Sequence, residues 1–286
     1  MSEKSKRRHP PWLKVRLGRG TAMKVRRMLS DARLHTVCQS AACPNIGECF
    51  ECGTATFLIM GDICTRNCRF CNIAGGKPDP LDPGEPVRLA HAVWELGLRY
   101  AVVTSVTRDD LRDGGAAHFA ETIGAIRREV PGCKVEVLIP DFGGCAESLM
   151  TVLDAAPDVL NHNVETVPRL YPLIRPEADF ERSIELLRRA TEAGVVSKSG
   201  VMVGLGEEIG EVKDTVESIR GAGVGILTIG QYLQPSRNHL PVARYYHPDE
   251  FHELAEFARG MGFDAVESAP LVRSSYHAER SAGGIV

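Results

Sequence analysis

The chain has 286 residues, of which 43% are hydrophobic, and a formal net charge of −3 at pH 7. A chain of this size buries a core without disulfides or metals, so its nine cysteines need another explanation. No apolar run approaches the roughly 18 residues of a membrane span, and the start of the chain lacks the apolar core of a signal peptide. We expect a cytoplasmic protein without membrane contact, whose clustered thiols stay reduced and bind metal or react.

Positive charge is concentrated at the start of the chain. Residues 1–27 hold ten Lys or Arg against one acidic residue, and the rest of the chain holds 24 basic against 36 acidic residues. We interpret this basic arm as a solvated tail. Contact with an acidic partner protein is the alternative, whereas no groove-reading motif follows that would indicate nucleic-acid binding.

Short β-branched runs alternate with helical periods from residue 54 onward. Apolar residues three or four apart predict helices at 119–130 and 180–190, the second ended by Gly194, and a further helix begins at Pro248. This last helix is expected to turn four side chains inward: Phe251, Leu254, Phe257 and Met261. Strands are predicted at 54–60, 98–106, 134–139, 159–167, 195–205 and 225–233.

Six β–α units in succession predict a parallel sheet. We expect an α/β fold, a partial (β/α)6 TIM-type barrel over residues 54–262, in which the functional residues follow the carboxyl ends of the strands. A doubly wound open sheet is the alternative. Residues 28–53, which are rich in cysteine, and residues 263–286 are interpreted as extensions packed on the barrel.

Three cysteines form a C-x3-C-x2-C run directly after the first barrel strand, at Cys64, Cys68 and Cys71. Three thiolates so close together can ligate three irons of a cubane cluster and leave the fourth iron open to another ligand. A zinc site or a plain electron-transfer cluster is the alternative, although zinc would need a fourth protein ligand and none lies immediately beside this loop.

A second triplet precedes the barrel, at Cys38, Cys43 and Cys49. Its spacing predicts a second metal centre, and with Cys52 added a four-thiolate zinc site remains open. The spacing alone therefore does not decide the metal.

Resemblance to known families narrows these alternatives. The first triplet, with Phe70 before its last cysteine, resembles the signature of radical S-adenosylmethionine enzymes, and residues 43–49 (CPNIGEC) resemble the lipoyl synthase family within that superfamily. Further segments resemble that family in order, from about residue 35 to 278: 104–111 (TSVTRDDL), 136–142 (EVLIPDF), 161–167 (NHNVETV), 204–207 (GLGE), 231–236 (QYLQPS) and 273–278 (RSSYHA).

The resemblance implies two 4Fe-4S clusters with different tasks. The cluster on the first triplet binds S-adenosylmethionine, and one electron from it produces a radical that abstracts hydrogen from an unactivated carbon. The second cluster is implied to be the sulfur source, ligated by Cys38, Cys43, Cys49 and the oxygen of Ser275. An oxygen donor matches a soft iron–sulfur core less well than a thiolate does, so such a corner is more readily released.

The resemblance also implies a reaction and its partners. Two sulfur atoms enter carbons six and eight of an octanoyl chain on a lysine of a carrier, either the glycine cleavage H protein or the lipoyl domain of a 2-oxoacid dehydrogenase E2 subunit. Ferredoxin or flavodoxin is the implied reductant. Another radical enzyme acting on a different substrate, and a non-catalytic zinc and iron–sulfur binding module, are the alternative functions.

Five residues are candidates for contact with S-adenosylmethionine. Asn163, Glu165 and Arg175 lie at and just beyond the end of the fourth predicted strand and resemble a pattern that other radical enzymes use near the ribose and carboxylate; an arginine clamps a carboxylate by paired hydrogen bonds. An ordinary ion pair at the strand end is the alternative. Gly204 and Gly206 are candidates for close backbone approach to the adenine, and a plain turn is equally compatible with them.

Other polar and sulfur-bearing residues keep structural alternatives. Residues 108–110 either shape the methionine or substrate end of the site or cap a helix, and Arg273 either binds substrate or stabilises a negative cluster. Cys52, Cys133 and Cys145 match no ligand position of the family and are interpreted as buried or idle thiols.

Overall fold

The computed structural model describes residues 10–13, 27–37, 56–275 and 278–283. Cys38, Cys43, Cys49 and Cys52 lie outside the described residues, as does most of the basic arm. The predictions made for these cysteines therefore stay predictions.

A mostly parallel sheet forms the centre of the described fold. Its strands follow one another in space almost in the order of the chain: β1 (His35–Thr36), β2 (Thr56–Ile59), β5 (Tyr100–Ser105), β6 (Lys134–Leu138), β7 (Val159–Asn161), β8 (Val196–Val203), β9 (Ile226–Gln231) and β10 (Ala265–Ala269). Only β1 runs antiparallel to its neighbour among these strands. Two short strands, β3 (Ile63–Cys64) and β4 (Ala74–Gly75), pair separately in the loop after β2.

Amphipathic helices connect these strands and cover the outside of the sheet. They are α1 (Glu85–Glu95), α2 (Ala116–Glu129), α3 (Ala146–Asp154), α4 (Tyr171–Ile174), α5 (Phe180–Glu192), α6 (Ile209–Gly221), α7 (Pro248–Gly260) and α8 (Ala278–Ala282). Asp179 caps α5 by accepting the N–H of Arg182, and Gly194, with φ +84°, follows its end. No helix of the described residues is long and apolar enough to cross a bilayer.

The strand order confirms the partial barrel. A doubly wound sheet would reverse its strand order at a switch point, whereas here each parallel strand lies beside the next one along the chain. One cavity touches Leu58 on β2, Val201 on β8 and Val272 after β10. A sheet whose distant strands face a common cavity must curve around it.

The structure differs from the sequence predictions at several places. The fourth strand ends at Asn161 rather than at residue 167, because Glu165 takes a left-handed φ of +69° and the backbone beyond Asn161 keeps only an isolated bridge to Val201 of β8. β10 was not predicted, so the sheet continues past residue 262, where we expected the barrel to end. Met261 lies at the exposed end of α7 instead of facing inward.

Buried polar groups fill the amino-terminal end of the barrel. Lys198 Nζ lies 3.0 Å from Glu136 Oε1, and Tyr100 and Asn161 donate to the same carboxylate at 2.7 and 3.1 Å. Helix α8 packs its buried alanines into the apolar cluster that includes Tyr100. The chemistry-bearing loops lie at the opposite, carboxyl end.

Candidate active site

The loop after β2 brings three thiols to the carboxyl ends of the barrel strands. Cys64 ends β3, and its carbonyl accepts the N–H of Gly76 at 2.9 Å, so the loop closes on itself. Cys71 donates its N–H to the carbonyl of Cys68 at 3.0 Å. All three sulfur-bearing side chains line one cavity of about 180 Å³, together with Asn163, Glu165 and Arg175. The fold thus gathers six predicted site residues around one space.

Neighbouring strand ends hold this loop in place. The Arg66 guanidinium reaches Asp109, after β5, with N–O distances of 2.7 and 2.8 Å, and Asp141, after β6, at 2.7 Å. From the other side, His239 Nε2 lies 2.9 Å from the carbonyl oxygen of Cys71. Contacts from three elements therefore fix the segment that carries the thiols.

Burial disfavours thiolate formation at two of these cysteines. It raises the pKa of Cys68 to about 11 and that of Cys71 to about 12, and the neighbouring thiols add to the rise in both cases. Clustered thiols of this kind lose their protons when cations bind them. A donor set of three soft sulfur atoms fits an iron–sulfur cluster.

The arrangement of the ligating side chains bears on the kind of metal centre. In the described part of the chain, no three His, Cys, Asp or Glu side chains lie close enough together to hold a single metal ion. A cubane cluster makes a different demand, because each thiolate ligates a different iron.

Asn163, Glu165 and Arg175 form a buried polar group beside the thiols. Asn163 donates its side-chain N–H to Glu165 Oε1 at 3.1 Å, and Arg175 Nη1 donates to the carbonyls of Asn163 and Val164 at 3.1 and 3.0 Å. Burial raises the pKa of Glu165, against the opposing effect of Arg175. Asn163 Oδ1 and Arg175 Nε are buried without a partner among the described residues.

These orphaned atoms fit a polar ligand. Buried polar atoms without partners are rare and costly, and a bound ligand, an ion or a water is the usual explanation. Ser105 Oγ is also buried without a partner in the described structure and lines the same cavity. The sequence does not predict Ser105 as a site residue, because a serine at a strand end indicates no function until the direction of its side chain is known.

Gly204 and Gly206 occupy a tight turn away from the thiols. Both have positive φ, +100° and +112°, and neither is among the residues that line the cavities described here. A Cβ at Gly204 would lie 2.1 Å from Gln231 Nε2 and 2.7 Å from the carbonyl oxygen of Arg244. Close protein packing thus accounts for Gly204, and contact with the adenine stays a prediction.

A larger cavity of about 470 Å³ extends from the thiols through the barrel. It shares Cys71, Asn163 and Glu165 with the smaller one. It is also lined by Val37 and Ser274, the residues that directly precede Cys38 and Ser275. Arg273 lines it as well.

Ser275 lies at the start of β2. Thr56, the first residue of that strand, donates its hydroxyl to Ser275 Oγ at 2.8 Å. Thr56 is buried. Since Ser275 follows β10 at the far edge of the sheet, this hydrogen bond joins the two edges across the open side of the barrel.

Other residues considered in the sequence take structural contacts. Arg108 pairs with Asp110 through two hydrogen bonds of 2.9 Å, whereas Asp113 supplies the helix-capping carboxylate before α2. Cys133 is buried, and the Cys145 thiol donates to Glu147 at 3.2 Å.

Comparison with known proteins identifies the family. A family model described as the radical SAM superfamily matches residues 58–219, from β2 into α6. Lipoyl synthase of Methylococcus capsulatus is 57% identical over 279 residues, which cover 96% of this chain and 87% of that protein. The chain belongs to the lipoyl synthase family. The lipoyl synthase of Rubrobacter xylanophilus is 56% identical with the same coverage.

Solved structures support the fold. SuiB of Streptococcus suis bound to S-adenosylmethionine superposes with a TM-score of 0.59 at 9% identity, over 79% of this chain and 54% of SuiB, so the chain spans about half of that protein. Methylornithine synthase (PylB) gives 0.54 at 13% identity, over 86% of this chain and 77% of that one. Identities this low show a shared fold alone.

Family membership confirms the predicted class of chemistry. The chain is a radical S-adenosylmethionine enzyme of the sulfurtransferase type, with a 4Fe-4S cluster and S-adenosylmethionine as cofactors and the auxiliary cluster that lipoyl synthases carry. The thiol triplet fits the first cluster, and the orphaned polar atoms beside it fit a polar cofactor.

Proposed function

We propose that this chain inserts two sulfur atoms at carbons six and eight of an octanoyl group attached to a carrier lysine. In this proposal Cys64, Cys68 and Cys71 hold the cluster that binds S-adenosylmethionine. Cys38, Cys43, Cys49 and Ser275 hold the cluster that supplies sulfur.

The larger cavity is the observation that carries the proposal. Cys71 lines it, and so do Val37 and Ser274, the chain neighbours of Cys38 and Ser275. An insertion reaction needs a hydrogen-abstracting site and a sulfur source that both reach one substrate carbon. Apolar side chains such as Leu58 and Met202 line the same cavity, which suits an acyl chain.

Three residues are proposed to bind S-adenosylmethionine beside the thiols. Arg175 Nε has a free donor for the carboxylate, although its Nη1 is occupied by backbone carbonyls. Asn163 Oδ1 and the Glu165 carboxylate accept hydrogen bonds from ribose hydroxyls. Gly204 and Gly206 contribute to S-adenosylmethionine binding through the backbone turn that they form. They do not line the cavity.

The barrel contributes positioning and exclusion of water. When bound, the cluster supplies the electron that cleaves S-adenosylmethionine and starts the radical chemistry. The protein holds the cofactor at the strand ends through Asn163 and Arg175 and keeps the reacting carbon in an apolar space. Because the buried Lys198–Glu136 pair and α8 fill the other end of the barrel, a reactive species is kept from bulk water.

The partners follow from the substrate. We propose that the carrier is the glycine cleavage H protein or the lipoyl domain of a 2-oxoacid dehydrogenase, which presents its lysine arm at the barrel mouth. A ferredoxin or flavodoxin supplies electrons, and the reaction takes place in the cytoplasm.

Anaerobic turnover tests the proposal. Reconstituted enzyme, S-adenosylmethionine, a reductant and an octanoyl-lysine peptide are incubated, and the peptide is analysed by mass spectrometry; a product with two added sulfur atoms is expected. The enzyme should hold about eight irons per chain, as two cubane clusters require. Cys68→Ala should abolish S-adenosylmethionine cleavage, and Ser275→Cys should keep the irons but impair sulfur insertion.

Cys145→Ser is the matched control, because Cys145 is a partly buried thiol outside both proposed sites. It should change neither the iron content nor the product yield. Cleavage of S-adenosylmethionine without any sulfur-bearing product would instead indicate a different substrate. Four irons and one zinc per chain would contradict the auxiliary cluster.

A further inference from the structure

We propose that Arg66 is a positioning residue that sets the reduction potential of the cluster on Cys64, Cys68 and Cys71. It does so by holding two backbone N–H groups against the Cys64 sulfur. This inference rests on the proposed function and adds a determinant to the same site.

Arg66 is anchored by a partly buried network of charges. Its side chain is only 7% exposed, and the Asp141 side chain is fully buried. Asp141 uses its second oxygen to accept from Arg182 Nη1 at 3.1 Å, and its first oxygen also accepts the N–H of Gly143 at 3.1 Å. The charges of the two carboxylates and the two guanidiniums sum to zero. The network therefore fixes the position of the loop and adds no net charge beside the Cys64 sulfur.

The network reaches the Cys64 sulfur through the backbone. The N–H of Arg66 lies 3.4 Å from Cys64 Sγ, and the N–H of Thr107 lies 3.3 Å from it. Arg66 belongs to the cysteine loop, whereas Thr107 follows β5 two residues before Asp109. The Arg66–Asp109 ion pair therefore joins the two segments that carry the two donors.

Thr65 reinforces this junction. Its N–H and its hydroxyl both donate to the carbonyl of Thr107 at 3.0 Å. Asp109 in turn donates its backbone N–H to the Thr65 hydroxyl at 3.0 Å. The donors on Cys64 are thus fixed relative to each other by contacts that do not involve metal.

Hydrogen bonds to ligand sulfur tune iron–sulfur potentials. An N–H group stabilises the sulfur more when the cluster has gained an electron, since the sulfur then carries more negative charge. Donors held in place raise the reduction potential, and donors that move away lower it. Loosening Arg66 is therefore expected to make the cluster harder to reduce.

Two variants separate positioning from simple charge. Asp141→Asn removes a negative charge, so a charge effect alone would make the midpoint potential more positive, whereas loss of positioning makes it more negative. Arg66→Lys keeps the charge but lacks the planar fork that reaches both carboxylates. We expect a more negative midpoint potential for both variants.

The measurement is an EPR-monitored redox titration of the reconstituted enzyme. Asp158→Asn is the matched control, because Asp158 also pairs with an arginine, Arg127, but before β7 at the other end of the barrel; its potential should equal that of the parent. An unchanged potential in Arg66→Lys, or a more positive one in Asp141→Asn, would overturn the inference. Either result leaves the proposed reaction intact if the parent enzyme still produces the sulfur-bearing peptide.

Discussion

Thr56 Oγ1 lies 2.8 Å from Ser275 Oγ, although 219 positions separate the two residues in the chain. Thr56 begins β2 near one edge of the sheet, and Ser275 follows β10 at the opposite edge. The bond therefore spans the open side of the barrel. It gives the Ser275 side chain a fixed place beside the cavity lined by Ser274.

Removing the Thr56 hydroxyl should weaken this closure. Thr56→Val keeps the shape of the side chain but loses the donor, and we expect a loss of about 1 kcal/mol in the free energy of unfolding. The variant should also bind fewer irons on reconstitution, because Ser275 is no longer held in place. Thr56→Ser keeps the hydroxyl and should retain the parent iron content; equal loss in both variants would contradict a role for the hydroxyl.

The buried pair of Lys198 and Glu136 is expected to be sensitive to loss of one partner. Lys198→Met leaves the Glu136 carboxylate buried without its cation, which typically costs about 3–5 kcal/mol. The double variant with Glu136→Gln should recover much of this loss, since no uncompensated charge remains. Chemical denaturation of the single and double variants measures both effects.

Lys134→Met provides the comparison for that experiment. Lys134 pairs with Asp158 at 3.0 Å, but it is half exposed. An exposed pair is worth about 1 kcal/mol or less. A similar loss at Lys134 and Lys198 would mean that burial of the pair does not decide its contribution.

Gly204 and Gly206 should respond differently to alanine. Both positions have a φ that disfavours a side chain, but only Gly204→Ala also places a Cβ against Gln231 and the Arg244 carbonyl. Thermal unfolding should therefore show a clearly larger drop in melting temperature for Gly204→Ala. If Gly206 approaches the adenine, Gly206→Ala should weaken S-adenosylmethionine binding by more than it lowers stability, which calorimetric titration would measure.

His162 should make the fold sensitive to acid. Burial lowers its pKa from 6.5 to about 4, helped by the cations of Arg175 and Arg66. The unfolded chain thus binds the proton more tightly than the folded chain. The contribution of neutral His162 to the free energy of unfolding is therefore fully present above pH 6.5 and is lost as the pH falls towards 4. A shift of this size is worth on the order of 3 kcal/mol.

Urea unfolding at pH 7 and pH 5 measures that effect. The parent should lose stability between the two pH values, and His162→Asn should lose less of it. His252 is exposed on α7, so His252→Asn should follow the parent. The same pH dependence in all three proteins would rule out His162 as its source.

Hydrophobic period and cysteine spacing were enough to predict the barrel and the cluster loop. The helix from Pro248 and the end of α5 at Gly194 follow local rules that hold without tertiary context. β10 escaped prediction because its residues, AVESA, are half-buried and lack a β-branched run. Its place in the sheet depends on pairing with β9, which is a non-local contact.

The sequence predicts the residues of the site only in part, for a similar reason. Cys64, Cys68 and Cys71 are close in sequence, so their spacing alone predicts a shared ligand. Arg66 and Asp141 are 75 positions apart, and nothing local indicates that their side chains meet. The resemblance points to Asn163 and Arg175, but only the folded chain shows the atoms that these residues leave unpaired.

The bonds that close the loop on itself bear on how the enzyme matures. Gly76, Arg66 and His239 hold the thiol segment through contacts made entirely by protein atoms. Small zinc domains, by contrast, fold only when metal arrives. In this chain the protein contacts of the loop do not depend on the cluster, so we expect the barrel to fold before cluster insertion. Loss of a cluster should then leave a folded apoprotein that can bind a new cluster.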